Sequence, residues 1–148
     1  MTEPVPLGLT FDCANARRQA EFWCLALGYV PSPPPTGWTT WEQWARDHEV
    51  PESEGDDGAS ICPPPGFTGP YVSFLVVPEH KTAKNRIHLD LKVSGGRHVA
   101  PEVRTRLIRA KVAELLAAGA SQQGEHLMGG NLDHVVLLDP EANEFCVV

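Results

Sequence analysis

The chain has 148 residues, of which 42% are hydrophobic, and it carries a formal charge of −7 at pH 7. This length suits one globular domain with a sizeable core. Because nucleic acids and anionic membranes attract basic surfaces, the acidic balance argues against both as partners. No apolar run approaches the roughly 20 residues that span a bilayer, so the composition predicts a soluble protein.

The cysteine pattern indicates the cellular compartment. The four cysteines show no C-x-x-C spacing, and no basic-then-apolar signal segment opens the chain. They are Cys13, Cys24, Cys62 and Cys146. We therefore expect reduced thiols and a cytoplasmic protein.

The first elements predicted are a strand followed by a helix. Residues 7–13 alternate between apolar and polar side chains, as a half-buried strand does. Asn15 is a suitable N-cap for a helix over residues 16–27, and Gly28 is a suitable helix stop. Trp23 has the helical spacing of a core residue.

A segment rich in proline and tryptophan follows and has two interpretations. Residues 31–57 hold a proline cluster and three of the four tryptophans, Trp38, Trp41 and Trp44, with a short helix predicted over residues 41–48. The indoles could form a small satellite core under a loop. Alternatively, they could form an aromatic lid that stacks on a flat or cationic ligand.

The remaining elements repeat the order of the first ones. After strands at residues 58–62 and 71–77, a strand at 87–93 precedes a helix that starts at Pro101 and runs to Gly119. Its predicted apolar stripe is Val103, Leu107, Leu115 and Leu116, and the basic residues between positions 97 and 111 are predicted to form a solvated face. Three strands follow, at residues 120–127, 134–138 and 144–148.

With the short extended piece that begins at Tyr29-Val30 included, each half reads as strand, helix and three strands. We predict a single domain over residues 1–148, with module one at about 5–79 and module two at about 85–148. Residues 31–57 are an insertion within module one. Such modules have a sheet covered by a helix on one face.

Alternation along the strands identifies the open face of each sheet. In residues 87–93 the odd positions are aliphatic, and the even positions are His88, Asp90 and Lys92. The aliphatic side should pack on a helix, which leaves the polar side to face a concave surface or water. By the same rule Thr10 and Asp12 share a polar face of the first strand, and Glu144 opens the last strand with Cys146 on its side. The predicted concave surface holds Thr10, Asp12, His88, Asp90 and Glu144.

Residues 86–93 (RIHLDLKV) and 139–148 (DPEANEFCVV) resemble the second half of vicinal oxygen chelate proteins. This superfamily includes glyoxalase I, extradiol dioxygenases, and fosfomycin- and bleomycin-resistance proteins, and the chain resembles its glyoxalase-like subgroup. The resemblance implies an α+β fold in which two βαβββ modules form a curved, cup-shaped mixed sheet with helices outside. It also implies a small-molecule ligand and a homodimer.

The resemblance further implies a divalent metal cofactor. Carried over residue by residue, two ligand positions fall on His88 and Glu144. The other two fall at Gly8 and near Leu75, which have no ligating side chain. The ligand set is therefore incomplete.

Three alternative functions follow. In the first, the chain is a small-molecule-binding protein. The second is a lyase, isomerase or dioxygenase that acts on a vicinal-oxygen substrate through a metal at His88 and Glu144. The third is a metal-free enzyme that uses Asp12, His88 and Glu144 as acid–base groups. Predicted substrate-binding residues are Thr10, Asp12, Trp38, Trp41, Asp90 and His134.

Each of these residues also has a plain structural interpretation. His88 could be a strand histidine hydrogen-bonded to a neighbour. Glu144 follows a turn and could be a solvated residue at the start of a strand. Asp133 and His134 could form an acid–base couple or an ordinary pair at a strand edge.

Overall fold

The computed structural model describes residues 2–148 and divides them into two compact units. The first unit ends at His80 and the second begins at Lys81. Each has one four-stranded mixed sheet, and their strands and helices follow the βαβββ order. The predicted α+β fold of two βαβββ modules is confirmed.

The first unit builds its sheet in the order β1-β4-β3-β2. Strand β1 pairs parallel with β4, and the other pairs are antiparallel. Its elements are β1 (Leu9–Cys13), α1 (Ala16–Leu27), β2 (Val30–Pro31), α2 (Trp41–Asp47), a short 3-10 helix (Glu52–Glu54), β3 (Gly58–Cys62) and β4 (Val72–Val76). The helix α2 and the 3-10 helix lie within the predicted insertion.

Helix α1 has the ends predicted from sequence. The side chain of Asn15 accepts a hydrogen bond from the backbone N–H of Arg18 at 2.9 Å, and Gly28 takes a left-handed φ of 69° at the other end. Trp23 is buried on the inner face of the helix, with its ring centroid 5.2 Å from that of Phe11 in β1. One face of the first sheet is therefore covered by α1.

Replacing the cap residue should measurably weaken the first unit. Asn15→Ala removes the acceptor for the N–H of Arg18, and we expect a loss of about 1 kcal/mol in the free energy of unfolding, measured by urea denaturation. Asn15→Asp keeps an acceptor and should stay within a few tenths of a kcal/mol of the native chain. Equal losses in both variants would contradict the capping role.

The second unit repeats the arrangement with the sheet order β5-β8-β7-β6. Its elements are β5 (Leu89–Leu91), α3 (Pro101–Ala117), β6 (Ser121–Met128), β7 (Asn131–Leu138) and β8 (Glu144–Val147). Strand β5 pairs parallel with β8, as β1 does with β4. Pro101 begins α3, as predicted.

The predicted apolar stripe of α3 is wrong in part. Leu107 and Leu116 are 38% and 40% exposed. The buried residues of the helix are Arg104, Ile108, Val112 and Leu115. The first residue of this buried stripe is an arginine. Because the arginine is charged, a search for apolar residues at helical spacing does not identify the stripe. The prediction of a wholly solvated basic face therefore fails at Arg104.

Strand β5 is shorter than predicted. It comprises only Leu89–Leu91, which pair with Phe145–Val147 of β8. Leu91 is buried, but Ile87 lies ahead of the strand and is 76% exposed. The prediction that every aliphatic odd position packs on a helix is therefore wrong for Ile87.

Among the described residues, none of the four cysteines forms a disulfide bond. Three of them are buried, and Cys24 is half-buried. Within residues 2–148, no helix has both the length and the hydrophobicity to cross a membrane.

Candidate functional site

The face of the first sheet opposite α1 carries a row of hydroxyl groups. Thr10, Ser73 and Ser60 lie side by side on three adjacent strands. The residues that alternate with them, such as Phe11 and Phe74, contact each other on the α1 side, with ring centroids 5.5 Å apart. All three hydroxyl residues line a cavity of about 630 Å³, within the size range of small-molecule sites.

Two tryptophans of α2 line the same cavity. Trp41 and Trp44 meet edge to face, with ring centroids 5.6 Å apart, and no residue of α2 is buried. The indole N–H of Trp41 donates to the carbonyl oxygen of Ser32 at 2.9 Å, which ties the helix to the segment after β2. Trp41 is exposed and Trp44 half-buried, which supports the lid interpretation over a buried satellite core.

Trp38 has a different environment. Its indole N–H donates to Oδ2 of Asp47 at 3.0 Å, and its ring packs on His48 with centroids 5.1 Å apart. It is not one of the residues that line the cavity. Trp38 therefore packs at the C-terminal end of α2 outside the cavity lining, whereas Trp41 and Trp44 line the cavity.

The second unit brings His88 and Glu144 together. The Nε2 atom of His88 lies 3.1 Å from Oε2 of Glu144, and the ammonium of Lys84 binds the same oxygen. The Glu144 side chain is only 7% exposed, so it is not the solvated strand-start residue considered above. The hydrogen bond from Lys84, aided by the nearby positive charges, lowers the pKa of Glu144 although burial opposes the shift. Glu144 is thus an ionised, largely buried carboxylate.

Cys146 extends this chain of contacts. Its sulfur lies 3.8 Å from Nδ1 of His88. Burial, reinforced by the charge of Asp90, raises the pKa of the Cys146 thiol to about 11. The thiol is therefore protonated at neutral pH. Since an ionised Glu144 can only accept, Nε2 of His88 is the donor in their contact.

A second group of charges surrounds Asp133 in β7. Arg97 donates from Nε and Nη2 to its two oxygens at 2.9 and 3.1 Å. His134 lies 2.9 Å away through Nδ1, and Arg104 lies 3.6 Å away through Nη2. The hydrogen bonds from Arg97 and then His134 hold the pKa of Asp133 well below its usual range. Asp133 is committed to these ion pairs, which favours a structural role for the Asp133–His134 pair.

The predicted site residues separate into three places. In the first unit, Thr10 and Trp41 line the cavity, whereas Asp12 is exposed beside Leu75 and does not line it. In the second unit, His88 and Glu144 contact each other. Asp90 and His134 line a separate cavity of about 610 Å³ near Arg97 and Arg104.

Several residues of these sites were not predicted. The alternation of Ser73 with Val72 and Phe74 could have identified it, because it follows the same rule that identified Thr10. Trp44 was included in the predicted tryptophan cluster but not among the substrate-binding residues; it lies one helical turn from Trp41, so helical spacing could have paired them. Lys84 lies in a loop, and no periodic pattern predicts its contact with Glu144, 60 positions away.

Residues 8–148 match the family model of the glyoxalase-like domain. The chain belongs to this family. Among solved structures, it is similar to a glyoxalase/bleomycin resistance protein/dioxygenase family enzyme from Burkholderia phytofirmans PsJN, at 13% identity and a TM-score of 0.58, covering 94% of this chain and 93% of that one. No curated protein matches the chain.

Two fosfomycin resistance proteins also share the fold of this glyoxalase-like chain. FosX from Listeria monocytogenes, whose structure contains Mn(II) and 1S,2S-dihydroxypropylphosphonic acid, has 9% identity and a TM-score of 0.61, covering 99% of this chain and 90% of that one. FosX from Mesorhizobium loti has 12% identity and a TM-score of 0.56, covering 99% and 91%. At these identities the likeness concerns the fold.

The side chains of this glyoxalase-like protein do not fit a metal ion of the kind its superfamily implies. Across residues 2–148, no three His, Cys, Asp or Glu side chains are grouped to hold a metal. The position near Leu75 has an exposed aliphatic side chain in place of a donor. The donor atoms of His88 and Glu144 converge, but a lysine ammonium already binds the carboxylate oxygen. A pair of donors with a cation on one of them falls short of the ligand sets that hold transition metals.

Proposed function

We propose that this glyoxalase-like protein binds a flat, largely apolar small molecule in the cavity of its first unit. The observation that carries the proposal is the pairing of two indoles that are not buried, Trp41 and Trp44, with a row of hydroxyls across the same cavity. Sites for small organic ligands combine apolar and aromatic walls with a few placed polar groups.

The wall chemistry indicates the class of ligand. Trp41 and Trp44 offer ring faces and edges for stacking, and Ala45, Val50 and Leu75 add aliphatic surface. The hydroxyls of Thr10 and Ser73 can orient one or two polar atoms of the ligand. The polar lining is mainly hydroxyl groups, so a flat molecule with few polar atoms fits better than a highly charged one.

The second unit favours binding over acid–base catalysis. A general base works best with a pKa near the working pH, but the pKa of Glu144 is lowered by the hydrogen bond from Lys84. The third acid–base group of that hypothesis, Asp12, is exposed on β1. These features support a binding protein over the metal-free enzyme.

Removing the Trp41 ring should weaken binding sharply. Ligands are first selected by tryptophan fluorescence from flat aromatic fragments such as naphthols and quinolines, and affinities are then measured by isothermal titration calorimetry. We expect Trp41→Ala to lose roughly ten- to a hundredfold in affinity, because central aromatic contacts carry much of the binding energy.

The chain offers a matched control for this experiment. Trp38→Ala removes the same side chain from a position that is bonded to Asp47 and does not line the cavity, and it should bind within about threefold of the native chain. Circular dichroism confirms that both variants fold. Equal losses in the two variants, or unchanged binding in Trp41→Ala, would refute a site under Trp41.

A further inference from the structure

We propose that the ammonium of Lys84 takes the place of a metal ion in the second unit, so that Glu144 and His88 form an ion-paired cluster with Lys84 that holds no metal. This inference concerns a different unit from the ligand cavity of the first and does not depend on it. The side chains of the second unit fit a metal ion poorly, and Lys84 is the residue that supplies a positive charge in its place.

The first support is convergence on one atom. Lys84 Nζ and His88 Nε2 both contact Oε2 of Glu144, the latter at 3.1 Å. A carboxylate that is only 7% exposed needs a cation or several donors to remain ionised. Lys84 supplies that positive charge, and a divalent ion would have to displace it.

The second support is the position of Lys84 itself. Its side chain is 63% exposed, so the stem lies largely in solvent while the ammonium reaches the buried carboxylate. The positive charge of Lys81 also acts on Glu144. Both lysines lie in the segment just before β5, and together they would repel an approaching divalent cation.

The third support is the lack of a suitable third donor. Cys146 is the nearest soft donor, but its sulfur contacts Nδ1 of His88, the ring nitrogen remote from Glu144. On this geometry the Cys146 sulfur does not share a site with Nε2 of His88 and Glu144.

Metal titration of the whole protein tests the assignment. Zn(II), Ni(II) and Mn(II) are titrated separately by isothermal calorimetry into the native chain and into Lys84→His, which replaces the ammonium by a third donor beside His88 and Glu144. We expect no stoichiometric binding to the native chain and at least tenfold tighter Zn(II) or Ni(II) binding to Lys84→His. Adding Glu144→Gln to Lys84→His should abolish the gain.

Lys92→His is the matched control, because it introduces the same side chain at another lysine of the second unit. It should bind these metals no more tightly than the native chain. Stoichiometric metal binding by the native chain that is lost in Glu144→Gln would overturn the proposal. So would equal affinities of Lys84→His and Lys92→His. If a variant fails to fold, the metal titration of the native chain still tests the proposal by itself.

Discussion

Asp133→Ala is expected to lower the free energy of unfolding by about 3 kcal/mol, because breaking a buried ion pair leaves an uncompensated charge. The charge left behind belongs to Arg104, which is only 8% exposed and opens the buried stripe of α3. Its Nε atom already has no hydrogen-bond partner among the described residues. Equilibrium denaturation in urea measures the loss.

Glu125→Ala is the control for this prediction. Glu125 forms a comparable two-point pair with Arg109, at 2.8 and 3.2 Å, but on the exposed side of the second unit. Because solvent screens such pairs, the urea midpoint should hardly move. Equal destabilisation by the two substitutions would show that the burial of Arg104 does not determine the loss in free energy of unfolding caused by Asp133→Ala.

The Asp133 carboxylate should also make the free energy of unfolding of the native protein fall at acid pH. The pKa of Asp133 is lower in the folded chain, owing first to the hydrogen bond from Arg97. Its stabilisation is therefore complete above the unfolded value of about 3.9 and is lost as the pH falls toward the folded value. Below about pH 4, native stability should fall more steeply than that of Asp133→Asn. Superimposable pH profiles would contradict this assignment.

Leu115→Ala is expected to cost about 2–4 kcal/mol, as large-to-small changes in well-packed cores do. Leu115 is fully buried on α3, whereas the next residue, Leu116, is 40% exposed. Leu116→Ala should therefore cost less than about 1 kcal/mol. Urea denaturation of the two variants distinguishes the buried stripe of the structure from the stripe predicted by sequence. Similar losses would indicate that both leucines are core residues.

Local chemistry made much of the fold predictable. The side-chain oxygen of Asn15 caps the start of α1, and Gly28, which has no Cβ, takes the left-handed conformation that ends it. The turn before β8 was also predicted: Oδ1 of Asp139 accepts from the backbone N–H groups of Glu141 and Asn143, both at 2.9 Å. That turn places Glu144 at the first position of β8, where it is buried.

Long-range contacts could not be predicted in the same way. Arg104 is buried because Asp133 of β7 lies opposite it, and a charged residue in an apolar stripe defeats any pattern based on hydrophobicity. Ile87 is exposed because β5 pairs over only three residues. Lys84 contacts Glu144 because of the path of the loop before β5. A loop has no periodic pattern from which that contact could be predicted.

In the candidate site, too, local patterns predicted some residues, whereas the role of others depends on packing. Strand alternation identified Thr10, because side chains on a strand alternate between two faces. The helical register of α2 decides that Trp41 faces the cavity, while the hydrogen bond to Asp47 holds Trp38 elsewhere. The sequence left the lid and the satellite core as alternatives because the choice depends on how α2 packs.

The most direct test of the ligand cavity is a nuclear magnetic resonance titration that follows the four tryptophan indole N–H signals as a flat aromatic ligand binds. We expect the signals of Trp41 and Trp44 to shift until the ligand saturates the protein, because both rings line the cavity. Those of Trp23, which is buried against Phe11, and of Trp38 should stay nearly fixed. A ligand that binds while the Trp41 and Trp44 signals stay in place would contradict a site in the first unit.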